Sequence, residues 1–425
     1  MDESGRKNRG LGSFAPALVL LVLAVVINYL DRGNLSLAAP LLQQEWHFSG
    51  SQLGILLASF FWTYTALQFV IGWLVDRFGA NLVLPLGFLI WSLATAATGL
   101  VGGFALLLAM RLLLGVGESV VFPSCSKILA QNLEERSRGF ANGALCAAMR
   151  WGSAAGTFGG GLLIARYGWR PTFIGIGMIT LLWLPAWMVW KPRPAAVTVE
   201  PSAAKASPGY LAILRQRSFW GASLGHFSGN YLLYFMITWL PFYLVRERHL
   251  SMAVMAKTAG VYYLIDAASS LVTGWVADFW IRSGGTPNVA RKSAMALGFT
   301  IAAVALGSFA LAGPNTYLVC LLAVGVGSGM GNAGSFAFGQ TMAGPRAAGN
   351  WVGLQNGFAN LAGVFGPALT GFLLDWSGHF SVALAIAAGI AVIGGFSWVL
   401  VVERLEPIRW NEDSTLPATA AVDAA

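Results

Sequence analysis

Residues 14–44 read FAPALVLLVLAVVINYLDRGNLSLAAPLLQQ. No charge occurs from Phe14 to Leu30, and then Asp31 and Arg32 stand side by side in an otherwise apolar run. A helix needs about 20 apolar residues to cross a bilayer, and this stretch supplies them. Arg6, Lys7 and Arg9 precede it, as they would in a secretory signal. The run nevertheless continues past the usual apolar length of a signal, without a convincing cleavage site, and reads as an uncleaved first membrane span.

Stretches of the same kind recur along the chain. The expected spans are 14–44, 51–75, 82–101, 104–131, 139–165 and 170–190, then 218–245, 254–281, 290–312, 315–342, 348–374 and 379–402. The reading is an all-α membrane protein of twelve spans in two six-helix bundles. Pairs such as Gly152 with Gly156 and Gly325 with Gly329 have the small-xxx-small spacing of close helix contacts. Between 191 and 217 the composition changes to Lys, Pro, Ala and Ser, ending in Arg215 and Arg217. That stretch reads as a linker, dividing the chain into 1–190, 191–217 and 218–425. A weak repeat supports the division: Gly72-Trp73-Leu74-Val75-Asp76 follows the second span and Gly274-Trp275-Val276-Ala277-Asp278 the eighth.

Composition excludes other classes. Hydrophobic residues make up 56% of the 425 and charged residues 10%, against roughly a quarter charged in a soluble domain. Lipid must cover much of the surface. The net charge of +8 is not gathered on one element, so no nucleic-acid footprint results. Cys125, Cys146 and Cys320 lie in apolar segments, and His47, His226, His249 and His379 form no i, i+4 pair. No metal, cofactor or catalytic dyad is implied, and the chain does not read as an enzyme. With the N-terminus inside, the inner loops receive Arg6, Lys7, Arg9, Arg77, Arg136, Arg138, Lys191, Arg193, Lys205, Arg215, Arg217, Arg282, Arg291, Lys292, Arg346, Arg404 and Arg409; the outer loops receive Arg166, Arg170, Arg246, Arg248 and Lys257. The bias places both termini in the cytoplasm of a cell whose inner membrane the chain spans.

Several motifs carry a family resemblance. The loop Gly72 to Gly79 resembles the signature loop of the major facilitator superfamily, with Ala80 and Asn81 where that family has a basic pair. Asn28-Tyr29-Leu30-Asp31-Arg32, Arg111-Leu112-Leu113-Leu114-Gly115-Val116-Gly117-Glu118 with Pro123, and Ala348 to Asn356 with Asn360-Leu361-Ala362-Gly363 resemble motifs of its anion:cation symporter family. The likeness covers essentially the whole chain. It implies two bundles rocking about a central site and symport of an organic anion, with sugar acids the favoured class and H+ the coupling ion. The alternative within the fold is a facilitator or exporter of another small anion. A lipid bilayer, a small anion and a monomeric state are the partners expected.

Ionisable groups at membrane depth are functional candidates because they are costly to bury. They are Asp31, Arg32, Arg111, Glu118, Arg150 and Asp266. Arg111 and Glu118 are seven residues apart, on one helix face. The guanidinium of Arg111 suits a carboxylate, or alternatively a fixed pair with Glu118 or Asp31. The resemblance gives Arg111 the substrate carboxylate, Asp31 and Glu118 the protons, and Arg32 a partner-switching role. It places Tyr29, Tyr64 and Asn356 at the substrate. Arg150 would take a second carboxylate or pair with Asp266. Asp76 and Arg77 correspond to the family's cytoplasmic latch. Polar residues of the second half, among them Asn230, Tyr231, Tyr234, Gln355 and Asn360, grip substrate or join helices. His226 reads as structural.

Overall fold

The computed structural model describes residues 11–403 except 133–134, 193–209, 312 and 314–315, together with 405, 406, 408 and 410. The described residues form helices and no strand. They run as α1 Leu11–Trp46, α2 Gly50–Phe78, α3 Ala80–Thr98, α4 Phe104–Glu118, α5 Val121–Asn132, α6 Glu135–Ala155, α7 Gly161–Tyr167, α8 Trp169–Thr180 and α9 Trp183–Trp190. After the short α10 Tyr210–Leu214 come α11 Arg217–Arg246, α12 Met252–Arg282, α13 Pro287–Leu311, α14 Tyr317–Asn332, α15 Ser335–Ser377 and α16 Phe380–Phe396. Among the described residues, eight stretches are long and apolar enough to cross a membrane by themselves, and the helices follow the twelve expected spans in order. The expected linker lies mostly outside the described residues.

The fourth, fifth, tenth and eleventh spans are among those that depart from simple helices. The fourth breaks after Glu118, between α4 and α5. Pro123 has no N–H to offer the carbonyl four residues earlier, and its ring crowds that carbonyl. The freed Ser119 oxygen instead accepts from Gln68 Nε2 at 3.5 Å. The fifth span contains a π-helical turn, Gly156–Gly160, between α6 and α7. The tenth and eleventh, expected as 315–342 and 348–374, are divided at Ala333–Gly334, and α15 then continues unbroken through Pro345. Glycines at 325, 327, 329, 331 and 334 weaken the helix where it breaks.

The chain forms two compact units. One comprises 1–197, 234–264 and 363–383; the other comprises 198–233, 265–362 and 384–425. In the first, α1 lies against α6 and the π turn at a spacing of four. Gly152 faces Val26, Gly156 faces Leu30 and Gly160 faces Asn34. A Cβ on Gly156 would stand 2.8 Å from Leu30 Cα, so only glycine permits this approach. Phe88 stacks on Trp183 at 4.3 Å and Trp183 on Trp187 at 5.1 Å, with the Trp183 indole donating to Leu20 O. This aromatic column ties α9 to α3 and α1.

In the second unit, α13 and α14 meet through Gly298, Gly327 and Ala302. Gln355 joins three elements: it donates to Ser335 O at 3.1 Å, accepts from the Trp351 indole at 3.1 Å and lies 3.3 Å from His226 Nδ1. Since the amide nitrogen is the donor, His226 Nδ1 accepts. Glu403, Leu405 and Trp410, which follow the π turn Ser397–Val401, bond to α11, α13 and α15. Glu403 N donates to Ser218 Oγ, Leu405 N to Asn288 Oδ1 and the Trp410 indole to Ala343 O.

Candidate functional site

The first unit buries two carboxyls and two guanidiniums on α1 and α4. Asp31, Arg32, Arg111 and Glu118 are 2%, 6%, 4% and 0% exposed. The bend of the fourth span sets Glu118 at the end of α4. Arg32 Nε donates to Glu118 Oε2 at 3.2 Å, the one ion pair among these four groups. The pair is half used on each side, because Arg32 Nη2 and Glu118 Oε1 are buried without hydrogen-bond partners.

Aromatic rings surround the Arg32 charge. Its guanidinium carbon is 4.3 Å from the Tyr29 ring centroid, 4.6 Å from Tyr64 and 5.5 Å from Phe60. Ring faces attract a cation by their quadrupole, and desolvation strengthens the attraction. Tyr64 stacks on Phe60 at 5.4 Å, and Tyr234 of α11 lies 4.4 Å from Phe61. Tyr29 meets Phe122 of α5 edge-on at 6.3 Å. Arg32 thus sits in an aromatic cage of Tyr29, Tyr64 and Phe60.

Arg111 differs. Its guanidinium lies 5.2 Å from the Phe60 ring, and its Nε is buried with no hydrogen-bond partner among the described residues. Asp31 faces neutral donors: Asn34 Nδ2 at 3.0 Å and Thr95 Oγ1 of α3 at 3.5 Å. Asp31 and Arg32, adjacent in sequence, therefore point into different surroundings, as neighbours on a helix must.

The remaining expected residues lie elsewhere. Arg150 is half-buried on α6, Asp266 is buried on α12, and Asn356 is half-buried on α15 with its carbonyl accepting from Asn360 Nδ2 at 2.9 Å. Arg77 is exposed in the last turn of α2, where Lys127 Nζ caps Val75 O at 2.9 Å. The side chain of Asp76 lies outside the described residues. Three contributors escaped the sequence reading. Phe60 underlies both arginines, and Asn34 and Thr95 bind Asp31. Asn34 stands one helical turn after Asp31, a signal that spacing offers; Thr95 comes from another helix and leaves no trace in the local sequence.

The chain matches the family model of the Major Facilitator Superfamily over residues 21–350 and 258–422. It is 32% identical to a hexuronate transporter of Bacillus subtilis, over 92% of this chain and 95% of that one. It is 29% identical to a probable L-galactonate transporter of Escherichia coli, over 91% and 89%. Among solved structures, a bacterial homologue of the human lysosomal transporter Spinster, inward-facing and unoccupied, superposes with a TM-score of 0.74 at 18% identity, covering 93% of this chain and 96% of that one. That likeness concerns the fold alone. The family match across both halves establishes that this multi-pass membrane protein is a transporter, not an enzyme, and belongs to the Major Facilitator Superfamily.

Proposed function

We propose that this transporter is a proton-coupled symporter of organic monoanions, with sugar acids as its substrate class. The observation that carries the reading is the buried cluster on α1 and α4. Asp31 and Glu118 balance Arg32 and Arg111, so the ionised cluster has no net charge and little attraction for an anion. Protonating both carboxyls leaves a net charge of two positive units. An anion then binds where it did not before, and proton and substrate binding reinforce each other, as linkage requires. A neutral Glu118 frees Arg32 from its ion pair, and the tyrosine cage holds the freed cation for a carboxylate. Arg111, which makes no ion pair among the described residues and has planar fork geometry, offers a further contact for the carboxylate.

The wider assignments rest on the family motifs and the relatives' names. Hexuronate and galactonate are carboxylates with several hydroxyls, a chemistry that Tyr29, Tyr64 and Asn356 suit. Arg150 serves a second carboxylate or pairs with Asp266. Asp76 and Arg77 act as a cytoplasmic latch. Residues 1–190 and 218–425 form the two rocking halves of a monomer in the inner membrane, with both termini cytoplasmic. Proteoliposome uptake under an imposed pH gradient, with a panel of aldonates, hexuronates, aldarates and simple monocarboxylates, tests the proposal. Gradient-driven uptake of a sugar monoacid is the expected result. Preference for aldarates would favour a carboxylate role for Arg150. Equal uptake with and without the gradient would reduce the protein to a facilitator.

A further inference from the structure

The start of α2 uses its backbone N–H groups in an unusual way. A helix leaves its first N–H groups without intrahelical partners. Here Ser49 is the N-cap of a capping box: Gln52 N donates to Ser49 Oγ at 3.1 Å and Ser49 N to Gln52 Oε1 at 3.0 Å. That leaves the N–H groups of Gly50 and Ser51. Both donate to Asp375, at 2.7 Å to Oδ1 and 2.7 Å to Oδ2, and the Ser51 hydroxyl donates to Oδ2 as well. Asp375 belongs to the last turn of α15, more than 300 residues away in sequence.

The approach depends on glycine. A Cβ on Gly50 would stand 2.9 Å from Gly371 O, and one on Gly54 would stand 2.7 Å from Pro367 O. Gly371 in turn faces the Gly50 carbonyl. A second seam in the same compact unit joins the fifth span to α12, where Gly161 meets Ala256 and Phe158 meets Gly260. Ser36 Oγ also donates to Ile237 O at 2.7 Å, and Arg246 Nη1 to Gln43 Oε1 at 2.6 Å. Most of these contacts are apolar or between neutral groups. Asp375 brings a full negative charge to the positive end of a long helix, and its side chain is exposed, so water can take over its bonds when they break.

We propose that Asp375 is the releasable bolt of an outer gate: its carboxylate closes the two N–H groups that the capping box of α2 leaves open and holds the outer ends of α2 and α15 together. The inference rests on the transporter reading and on the topology that puts Gly50 and Asp375 on the outer face. In a rocking transporter these ends must part for substrate to enter from outside. The two backbone bonds and the hydroxyl bond break together, and water then solvates the carboxylate and the helix end. The bolt sets how often the outer side opens, without touching substrate.

The test uses the full chain with Cys125, Cys146 and Cys320 replaced and one reporter, Ile237→Cys, behind the seam. The rate of its alkylation by an impermeant maleimide added outside reports opening. Losing a charge-assisted contact of this kind moves a two-state equilibrium about tenfold. Asp375→Asn is therefore expected to raise the labelling rate about tenfold, and Ser51→Ala, which removes one donor, to raise it less. Unchanged rates in both variants would overturn the bolt. Should Asp375→Asn fail to fold, Ser51→Ala alone decides. Substrate counterflow by the reporter protein without these changes is measured in parallel. Absence of counterflow of a hexuronate would count against the sugar-acid symport reading, while the labelling rates still judge the contact.

Discussion

Replacing Glu118 by Gln isolates the coupling role of its charge. The Arg32–Glu118 bond of 3.2 Å joins side chains 4% and 0% exposed. Opposite unit charges at that separation attract by about 5 kcal/mol at an effective dielectric constant of about 20. Desolvation offsets most of this. Glutamine keeps an oxygen for Arg32 Nε and loses only the charge, a difference of about 1–2 kcal/mol between a charged and a neutral hydrogen bond. The variant should therefore fold. It imitates the protonated carboxyl permanently, so it binds anion but carries no proton at this position. Each coupled proton contributes about 1.4 kcal/mol per pH unit of gradient, a factor of about ten in accumulation. With two coupled protons, a one-unit gradient and no membrane potential, the parent accumulates substrate about 100-fold, and a variant left with Asp31 alone at most about tenfold. Counterflow needs no net proton movement and should stay within about threefold of the parent. Uptake into proteoliposomes with the potential clamped measures both. Accumulation equal to the parent's would refute a coupling role for Glu118 and turn attention to Asp31.

Arg111→Lys keeps the charge and loses the planar fork; it should weaken substrate binding about tenfold or more while the purified protein remains folded, and normal affinity in a binding titration would remove Arg111 from the site. Gly156→Ala places a Cβ 2.8 Å from Leu30 Cα and O; forcing α6 from α1 should cost about 1–3 kcal/mol, seen as a lower melting temperature in scanning fluorimetry, and an unchanged one would deny the close contact. A single cysteine at Ala203, in a cysteine-free background, should react with an impermeant reagent only after cells are opened, and labelling of intact cells would reverse the topology.

Much of the architecture was legible before any tertiary contact was known. Apolar runs of bilayer length, broken by short polar loops, announce membrane helices because no other open structure satisfies the backbone in lipid. The charged pair at Asp31 and Arg32, and the pair at Arg111 and Glu118, mark a candidate site because burying charge in that setting is costly. Pro123 near the fourth span's break and the glycines around residues 156–161 were visible as composition, yet their effect on helix geometry was not. That effect depends on which neighbouring carbonyl or helix lies opposite.

The sequence alone therefore determined the class of protein and its succession of membrane helices, and it singled out Asp31, Arg32, Arg111 and Glu118 as ionisable groups that the fold buries. Only the tertiary structure decided the partners. It paired Glu118 with Arg32 rather than with Arg111, although helical spacing puts Glu118 and Arg111 on one face. It set Arg32 between Tyr29 and Tyr64, gave Asp31 to Asn34 and Thr95, and brought Asp375 to the start of α2. Hydrophobicity and charge are properties of single residues and short windows, so they survive in the linear chain. Pairing depends on distances of a few ångströms between helices far apart in sequence, and close packing sets those distances.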